Sequence, residues 1–507
     1  MSAGEFSFVS QDVFEQQQES ASRRLPNDVF MERFVRQKDA THALLLWLEN
    51  APDAPLQRSN EKVGAYLSRT IALIDELLQK QLNIILHHPK FQALESSWRN
   101  VKYLTEEAEQ YDKDGKVKIK LLNCSWQTLT KDVSKAIDFD QSDFFKQIYS
   151  NEYDNPGGEP FGVIIGDYRI SHKPRPGVAG NDIDTLQEIV RTCAAAFSPF
   201  ITSAEANMFG VDNFSELGFH VDLSSQFEQI EYIKWRKLRN MEDARFLGIA
   251  VPRVLMRAPY VEDGQRSEGF KFREVINNPD EDNLWGNAAY PFAATLIRAF
   301  CNSGWFGQIR GMQPGQTNQG VVTNLAQSPF ETDLYQKQPK PPVDLLITDR
   351  AEKALSDSGF IPLSPLSKSG NLVFFSNASA QQPANYDSVA ARINAKLSSM
   401  MQYILCVSRF AHYIKVMGRD RIGSYATPQA CERDLQSWIN NYTTASDSAS
   451  DEVRSRYPLS SARVNVKEHQ AKPGHYYSVM QLQPHFQLDQ MVSSIKLVTE
   501  LSPTHYE

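Results

Sequence analysis

Cysteine is scarce in this chain: five occur among 507 residues, Cys124, Cys193, Cys301, Cys406 and Cys431. An odd number, far apart and without metal-ligand spacing, argues against a disulfide framework or a zinc site and fits a reducing compartment, with each thiol a small buried hydrophobe. Basic charge is also short, since 53 Lys and Arg face 61 Asp and Glu, a formal net charge of −8. That balance offers no excess to neutralise phosphates, so no nucleic-acid partner is expected and protein partners are favoured. No apolar run approaches the roughly 18 residues a membrane helix needs, and no charged-then-apolar leader opens the chain, so no membrane insertion is expected. Catalytic signatures are missing too: the sequence holds no GxxxxGK[ST], GxSxG, HExxH or CxxC, and the glycines of GEPFGVIIG (158–166) lack GxGxxG spacing. The chain is therefore read as a non-enzyme that uses no cofactor and no metal.

Three groups could still be drawn as sites. His87 and His88 stand together at a helix end before Pro89, where capping of the carbonyl-rich terminus is the expected role. His412 with Arg409 and Lys415, and Asp349 with Arg350 and Glu352, are read as solvated charge and salt bridges.

What is present is length and periodicity. The chain is long enough for about three domains with a large core. Residues 1–28 are polar and Gln-rich. Residues 29–49 form an amphipathic helix candidate ending in LLLWL (44–48), and 51–59, with two prolines, read as a linker. Val63, Leu67, Ile71, Ile74, Leu78 and Ile85 then recur at helical steps up to Pro89. That long helix has one apolar stripe, which needs the chain's own core or a helix from a second polypeptide. From residue 116 the pattern becomes two-residue alternation, with Val117, Ile119 and Leu121 on one face, followed by a helix candidate over 128–137. Short apolar runs at 163–166, 248–256, 343–348 and 372–375 alternate with helical stretches, which is mixed α/β grammar: helices packed on a buried sheet. Residues 307–342 read as a loop-rich surface insertion, and 389–417 as one helix. Near the end, 461–466 and 476–482 are strand candidates joined by a loop with Pro473 and Gly474, which suits a hairpin, and 492–501 is a third strand. That last strand has two possible homes, the edge of its own hairpin or a neighbouring molecule's sheet.

The stretch KWRKLRNMEDARFLGIAVPRVLMRAPY (234–260) turns from a charged helical run into an apolar strand interrupted by Pro252. Its charges, Arg236, Lys237, Arg239, Glu242, Asp243 and Arg245, form either a solvent-facing helix side or an intersubunit contact that sets register. This tract resembles the large subunit of the bacterial type VI secretion contractile sheath, the TssC/VipB/EvpB family. HHPKFQALESSWRNVKYL (87–104), GEPFGVIIGDY (158–168), AAFSPFITSAEANMFGVDNFSEL (195–217), LWGNAAYPFAATLIRAFCNSGW (284–305), LLITDRAEKALSDSGFIPL (345–363), RFAHYIKVMGRDRIGS (409–424) and VRSRYPLSSARVNV (453–466) continue it colinearly, over residues 61–500.

The resemblance implies a contractile tail-sheath-like α/β fold (mixed α+β) with terminal strands available for intersubunit pairing. It implies domains at 1–60, packing with the small sheath subunit, at 61–370, and at 371–507, carrying the terminal hairpin and a donated strand. The expected protein-binding residues are Val464, Val466, Tyr477, Val479, Leu482, Ser494, Ile495, Lys496, Leu497 and Val498, with Leu45, Trp47 and Leu48 facing the small subunit. Expected partners are that TssB/VipA-like small subunit, further copies of the heterodimer, an Hcp-like inner tube, the baseplate and a ClpV-like AAA+ recycling ATPase, all in the bacterial cytoplasm. Members that the ATPase grips carry a short Leu- and Ile-rich helix at the N-terminus, and this chain does not, so the resemblance does not extend to that contact. A phage-tail or extracellular contractile injector sheath, and an enzyme with an unrecognised site, remain the alternatives.

Overall fold

A computed structural model describes residues 27–50, 60–155, 157–174, 180–218, 222–261, 269–312, 319–327, 341–366, 371–420, 427–444, 450–468, 476–485 and 495–501. The chain forms two compact units, 1–84 with 261–274, and 85–260 with 275–507.

The first unit contains helices α1 (Asn27–Arg36), α2 (Ala40–Asn50) and most of α3 (Asn60–Leu86). The single helix expected over 29–49 is two. Asp39 interrupts it and accepts the Thr41 backbone N–H at 3.2 Å, because a short carboxylate is worth more as a cap than inside a helix. Across the break, Trp47 meets Phe30 and Phe34 with ring centroids 5.8 and 5.2 Å apart.

In the second unit, α4 (Pro89–Tyr111) starts with proline at its first turn, where no N–H is missed. His88 does cap a helix, but the following one: its Nδ1 accepts the Lys90 N–H at 3.3 Å, which requires an unprotonated nitrogen rather than a cation. Helix α5 (Trp126–Lys135) is capped by Ser125, whose hydroxyl accepts from Thr128. The core sheet is four parallel strands in the order β1 (Ile164–Ile170), β2 (Phe200–Ala204), β3 (Leu247–Val251) and β4 (Ile361–Pro362). Every residue of β2 and β3 is buried, as expected of parallel strands covered on both faces. Period two sorts them. Phe200, Leu247 and Ile249 join the core formed with α6 (Asp182–Ala196) and α7 (Ile233–Arg239), whereas Ile201, Ala250 and Ile361 join that of α8 (Ala289–Ser303). On β3, a Cβ at Gly248 would lie 2.7 Å from the Ile201 Cδ1 and 3.0 Å from the Ile361 Cδ1, so a larger residue there would have to displace the tips of both side chains.

Three expected elements differ. Residues 116–121 form no strand and join no sheet, and Ile119 and Leu121 are exposed, because alternation without a partner strand makes no ladder. Residues 343–348 contribute a single bridge, Val343 to Val254, before α9 (Asp349–Asp357). The helix expected over 389–417 breaks into α10 (Val389–Ser398) and α11 (Met401–Asp420), where the Met401 N–H turns to the Asn377 carbonyl at 2.8 Å. The chain then runs through α12 (Pro428–Asn440) into a separate antiparallel sheet of β5 (Leu459–Glu468), β6 (Tyr476–Pro484) and β7 (Ile495–Leu501).

Candidate assembly interface

The terminal sheet is half core and half surface. β5 and β6 pair antiparallel with Val464 opposite Met480 and Ala462 opposite Leu482. Val464, Val466, Met480 and Leu482 are buried in a cluster with Cys406, Phe410 and Ile414 of α11 and Leu435 and Ile439 of α12. Tyr477 and Val479 fall on the other phase and are half exposed. Of the expected pairing residues, Val464, Val466 and Leu482 therefore anchor the sheet to its own helices, and Tyr477 and Val479 line its outer face. The hairpin reading stands for the strands, whereas the Pro473–Gly474 loop lies outside the described residues.

The last strand has an intramolecular home in this single chain. β7 pairs antiparallel with β6, setting Ile495 opposite Leu482, Lys496 opposite Gln481, Leu497 opposite Met480 and Val498 opposite Val479. Ser494 lies outside the described residues. The sheet order β5–β6–β7 makes β7 the terminal strand on one side and β5 on the other.

β5 has a second set of contacts, on α12. The Gln436 side chain accepts the Val464 N–H at 2.8 Å and donates to the Ala462 carbonyl at 3.0 Å, while Glu432 accepts the Val466 N–H at 2.9 Å. Sequence reasoning passed over both residues. A polar pair four apart on one helix face was the available signal, and it is common on exposed helices as well.

In the first unit, apolar side chains face outward. No residue of α2 is buried, Leu45 is 37% exposed, and Trp47 and Leu48 are partly so. On α3, the expected stripe residues Ile71, Ile74, Leu78 and Ile85 are all exposed, as are Leu73, Leu77 and Ile84. Burying a fully exposed side chain of this kind is worth about 1.5–3 kcal/mol, and covering the exposed part of each would gain roughly half of that, which makes these helices a surface in want of a cover.

The charged tract and the polar groups read as candidate sites are structural. Arg239 is buried, donating to the carbonyls of Ala380 and Asp357 at 3.1 and 2.9 Å, and burial pulls its guanidinium down to about 10. Arg236 donates to the Phe227 and Gln229 carbonyls, and Lys237 and Glu242 are exposed. His412 is buried rather than solvated, and burial, reinforced by Arg409, lowers it to about 3. Its neighbour Lys415 is lowered to about 8 by burial, while its ammonium donates to the Ala195 carbonyl and stands over the rings of Tyr149, Tyr153 and Phe197. Thr348 caps α9, Asp349 and Arg350 are exposed, and Glu352 accepts a hydrogen bond from Ser376. Cys193, Cys406 and Cys431 are buried and Cys124 and Cys301 half-buried, and burial pushes the Cys406 thiol up to about 12. Among the described residues no group of three or more His, Cys, Asp or Glu could hold a metal, and no helix is long and apolar enough to cross a membrane. The surfaces that remain to be explained among the described residues are a strand edge and an apolar helix face.

Comparison with known proteins bears on the family. Residues 68–381 match the VipB family, described as EvpB/VC_A0108, tail sheath N-terminal domain, and residues 390–501 match its tail sheath gpW/gp25-like domain. The chain is 36% identical over 496 residues to the type VI secretion system sheath protein TssC1 of Pseudomonas aeruginosa, covering 97% of this chain and 96% of that one. The crystal structure of a sheath tail protein from Desulfitobacterium hafniense is also similar, at 8% identity and a TM-score of 0.29. That match spans 64% of this chain and 62% of the other, under two thirds of its length.

Proposed function

The chain belongs to the VipB/EvpB tail sheath family, and on that premise we propose that it is the large subunit of a bacterial type VI secretion contractile sheath. It pairs with a small sheath subunit, polymerises helically with further copies of that heterodimer around an inner tube, and contracts to drive the tube and its effectors outward. Its product is mechanical work, and it acts without turning over a substrate. An interface whose rotation does not close generates a filament. A terminal strand tethers neighbours through backbone bonds even while their bodies rotate and slide, so the polymer shortens without falling apart. The extended form is a trapped state and the contracted form buries more surface, so many small gains per subunit sum to the stroke.

The observation that carries this reading is the terminal sheet. β7 is the last of the described elements, sits at a sheet edge and is joined to β6 by backbone pairing, an attachment that any copy of the same strand can replace. In the assembled sheath β7 passes to the β6 of a neighbouring copy. Residues 1–60, with Leu45, Trp47 and Leu48, pack against helices of the small subunit, 61–370 form the body, and 371–507 form the linking layer. The inner tube, the baseplate and a AAA+ recycling ATPase complete the partners, in the bacterial cytoplasm; the opening residues, which such an ATPase would grip, lie outside the described part.

Deleting residues 494–507 and co-expressing the chain with its small subunit tests the reading. The heterodimer should still form and long sheaths should vanish from negative-stain micrographs; sheaths of undiminished length would oppose strand exchange.

A further inference from the structure

A cavity of about 450 Å³ opens between the end of α5, residues 136–139 and the first turns of α6. It falls within the roughly 300–1,000 Å³ usual for small-ligand sites. Val133, Ala136 and Phe139 give it an apolar wall, and Ile137, which also lines it, is 89% exposed, with apolar surface left for whatever enters. Two of its carboxylates already hold cations: Asp184 pairs with Lys234 at 2.6 Å and Glu188 with Arg191 at 2.9 Å. Asp138 holds none. It precedes a 3₁₀ turn, Phe139–Gln141, without capping it, and its carboxylate has no partner among the described residues. Of the buried polar groups, Thr185 donates to Thr130 at 3.3 Å, whereas the Gln187 carboxamide is 9% exposed and makes no hydrogen bond among the described residues. Buried amides left without a partner are few in native folds, and each calls for an occupant or a role.

We propose that this cavity binds an alkyl cation, a guanidinium or ammonium group on a short apolar stem. The charged head pairs with Asp138 and donates to the Gln187 carboxamide oxygen, while the stem lies on Ile137 and Phe139. Two features set the sign of the occupant. The last turn of α5 lines the cavity, and the carbonyl end of a helix favours positive charge. Asp138 adds a carboxylate that no cation among the described residues neutralises. A guanidinium carries five donors in one plane, enough to serve a carboxylate and an amide together, and an ammonium carries three. This chemistry has two sources, a free alkylguanidine or diamine and the Arg or Lys side chain of a neighbouring subunit. The site lies within one chain and is independent of the strand exchange proposed above.

Isothermal titration of the full chain with butylguanidinium tests it, with butyrate, the same length of stem under the opposite charge, as the control. The cation should bind saturably and butyrate should not. Asp138→Asn, at an exposed position without a bond to lose, should weaken binding by about tenfold. Gln187→Met, which keeps the shape and removes both polar atoms, should weaken it as well while leaving the melting temperature unchanged or raised, since a buried amide without a partner is gone. A purely structural glutamine would show no change in binding. No saturable binding by the wild type, equal binding by butyrate, or equal affinity in all three proteins would overturn the assignment. Repeating the titration on sheaths assembled with the small subunit separates the sources. Loss of binding on assembly assigns the cavity to a neighbour's basic side chain, and retained binding assigns it to a free cation; each upholds the site. Failure of sheaths to form would count against the sheath reading and leave the titration of the chain standing.

Discussion

His412 Nε2 lies 2.9 Å from the carbonyl oxygen of Phe197, and 3.2 Å from that of Ala196. Two carbonyl neighbours require the proton on that nitrogen, so the imidazole is a neutral donor that ties α11 to the end of α6. Phe197 stands at that end with φ of 52°, one of few non-glycine residues in the left-handed region, and its carbonyl is held by this donor.

A pH dependence follows. The folded-state value of His412, about 3, is below the ordinary 6.5, so the unfolded chain takes up a proton that the fold refuses. The stability His412 contributes is complete above about pH 6.5 and is lost as pH falls from there toward 3, by about 1.4 kcal/mol per unit. Denaturant unfolding of the wild type and His412→Gln, which keeps a donor but does not titrate, should show their difference shrinking at that slope. A difference independent of pH between 7 and 5 would contradict the assignment.

Arg239 gives a second prediction. Its fork joins the Ala380 and Asp357 carbonyls in a buried position, so Arg239→Ala should cost about 2–4 kcal/mol by leaving both acceptors unpaired. Arg239→Lys should recover little, since one ammonium cannot reproduce the fork. Chemical denaturation checks both.

Trp305 and Phe410 stack at 4.2 Å with planes 19° apart in the cluster beneath the terminal sheet. Phe410→Ala should cost about 3–5 kcal/mol and Phe410→Leu distinctly less. Hydrogen exchange should show the loss in 401–420 and 459–484 first, with β2 and β3 little changed.

The exposed apolar face of the first unit makes a contrasting case. Leu45→Glu with Leu48→Glu, or Leu77→Lys, should leave stability within about 0.5 kcal/mol because none of these side chains is buried. Co-purification with the small subunit should nevertheless fall sharply for the α2 pair. Unchanged recovery would move the partner contact elsewhere.

Much of this was legible in the residues. Helical spacing from Val63 to Ile85 marked α3, Pro89 marked its end, and the strand candidates at 461–466 and 476–482, with Pro473 and Gly474 between them, marked the hairpin. The colinear segments from 61 to 500 carried the family. Less visible was anything that depends on what a segment meets. Residues 116–121 alternate as a strand should, yet none of the described strands comes alongside. Asp39 could have continued a helix on pattern, but capping the next one satisfied more backbone. Arg239 and His412 looked like surface charge until other elements closed over them.

Local pattern thus determined which segments are helical or extended and which faces are apolar, since period and capping chemistry act within a few residues. Only the tertiary structure decided which backbone amides of β5 find a partner outside the sheet, because Gln436 and Glu432 lie some 30 residues before the amides they engage and nothing local connects them. A backbone group is satisfied by whatever the fold brings within 3 Å, and that is settled by packing rather than by neighbours in the chain.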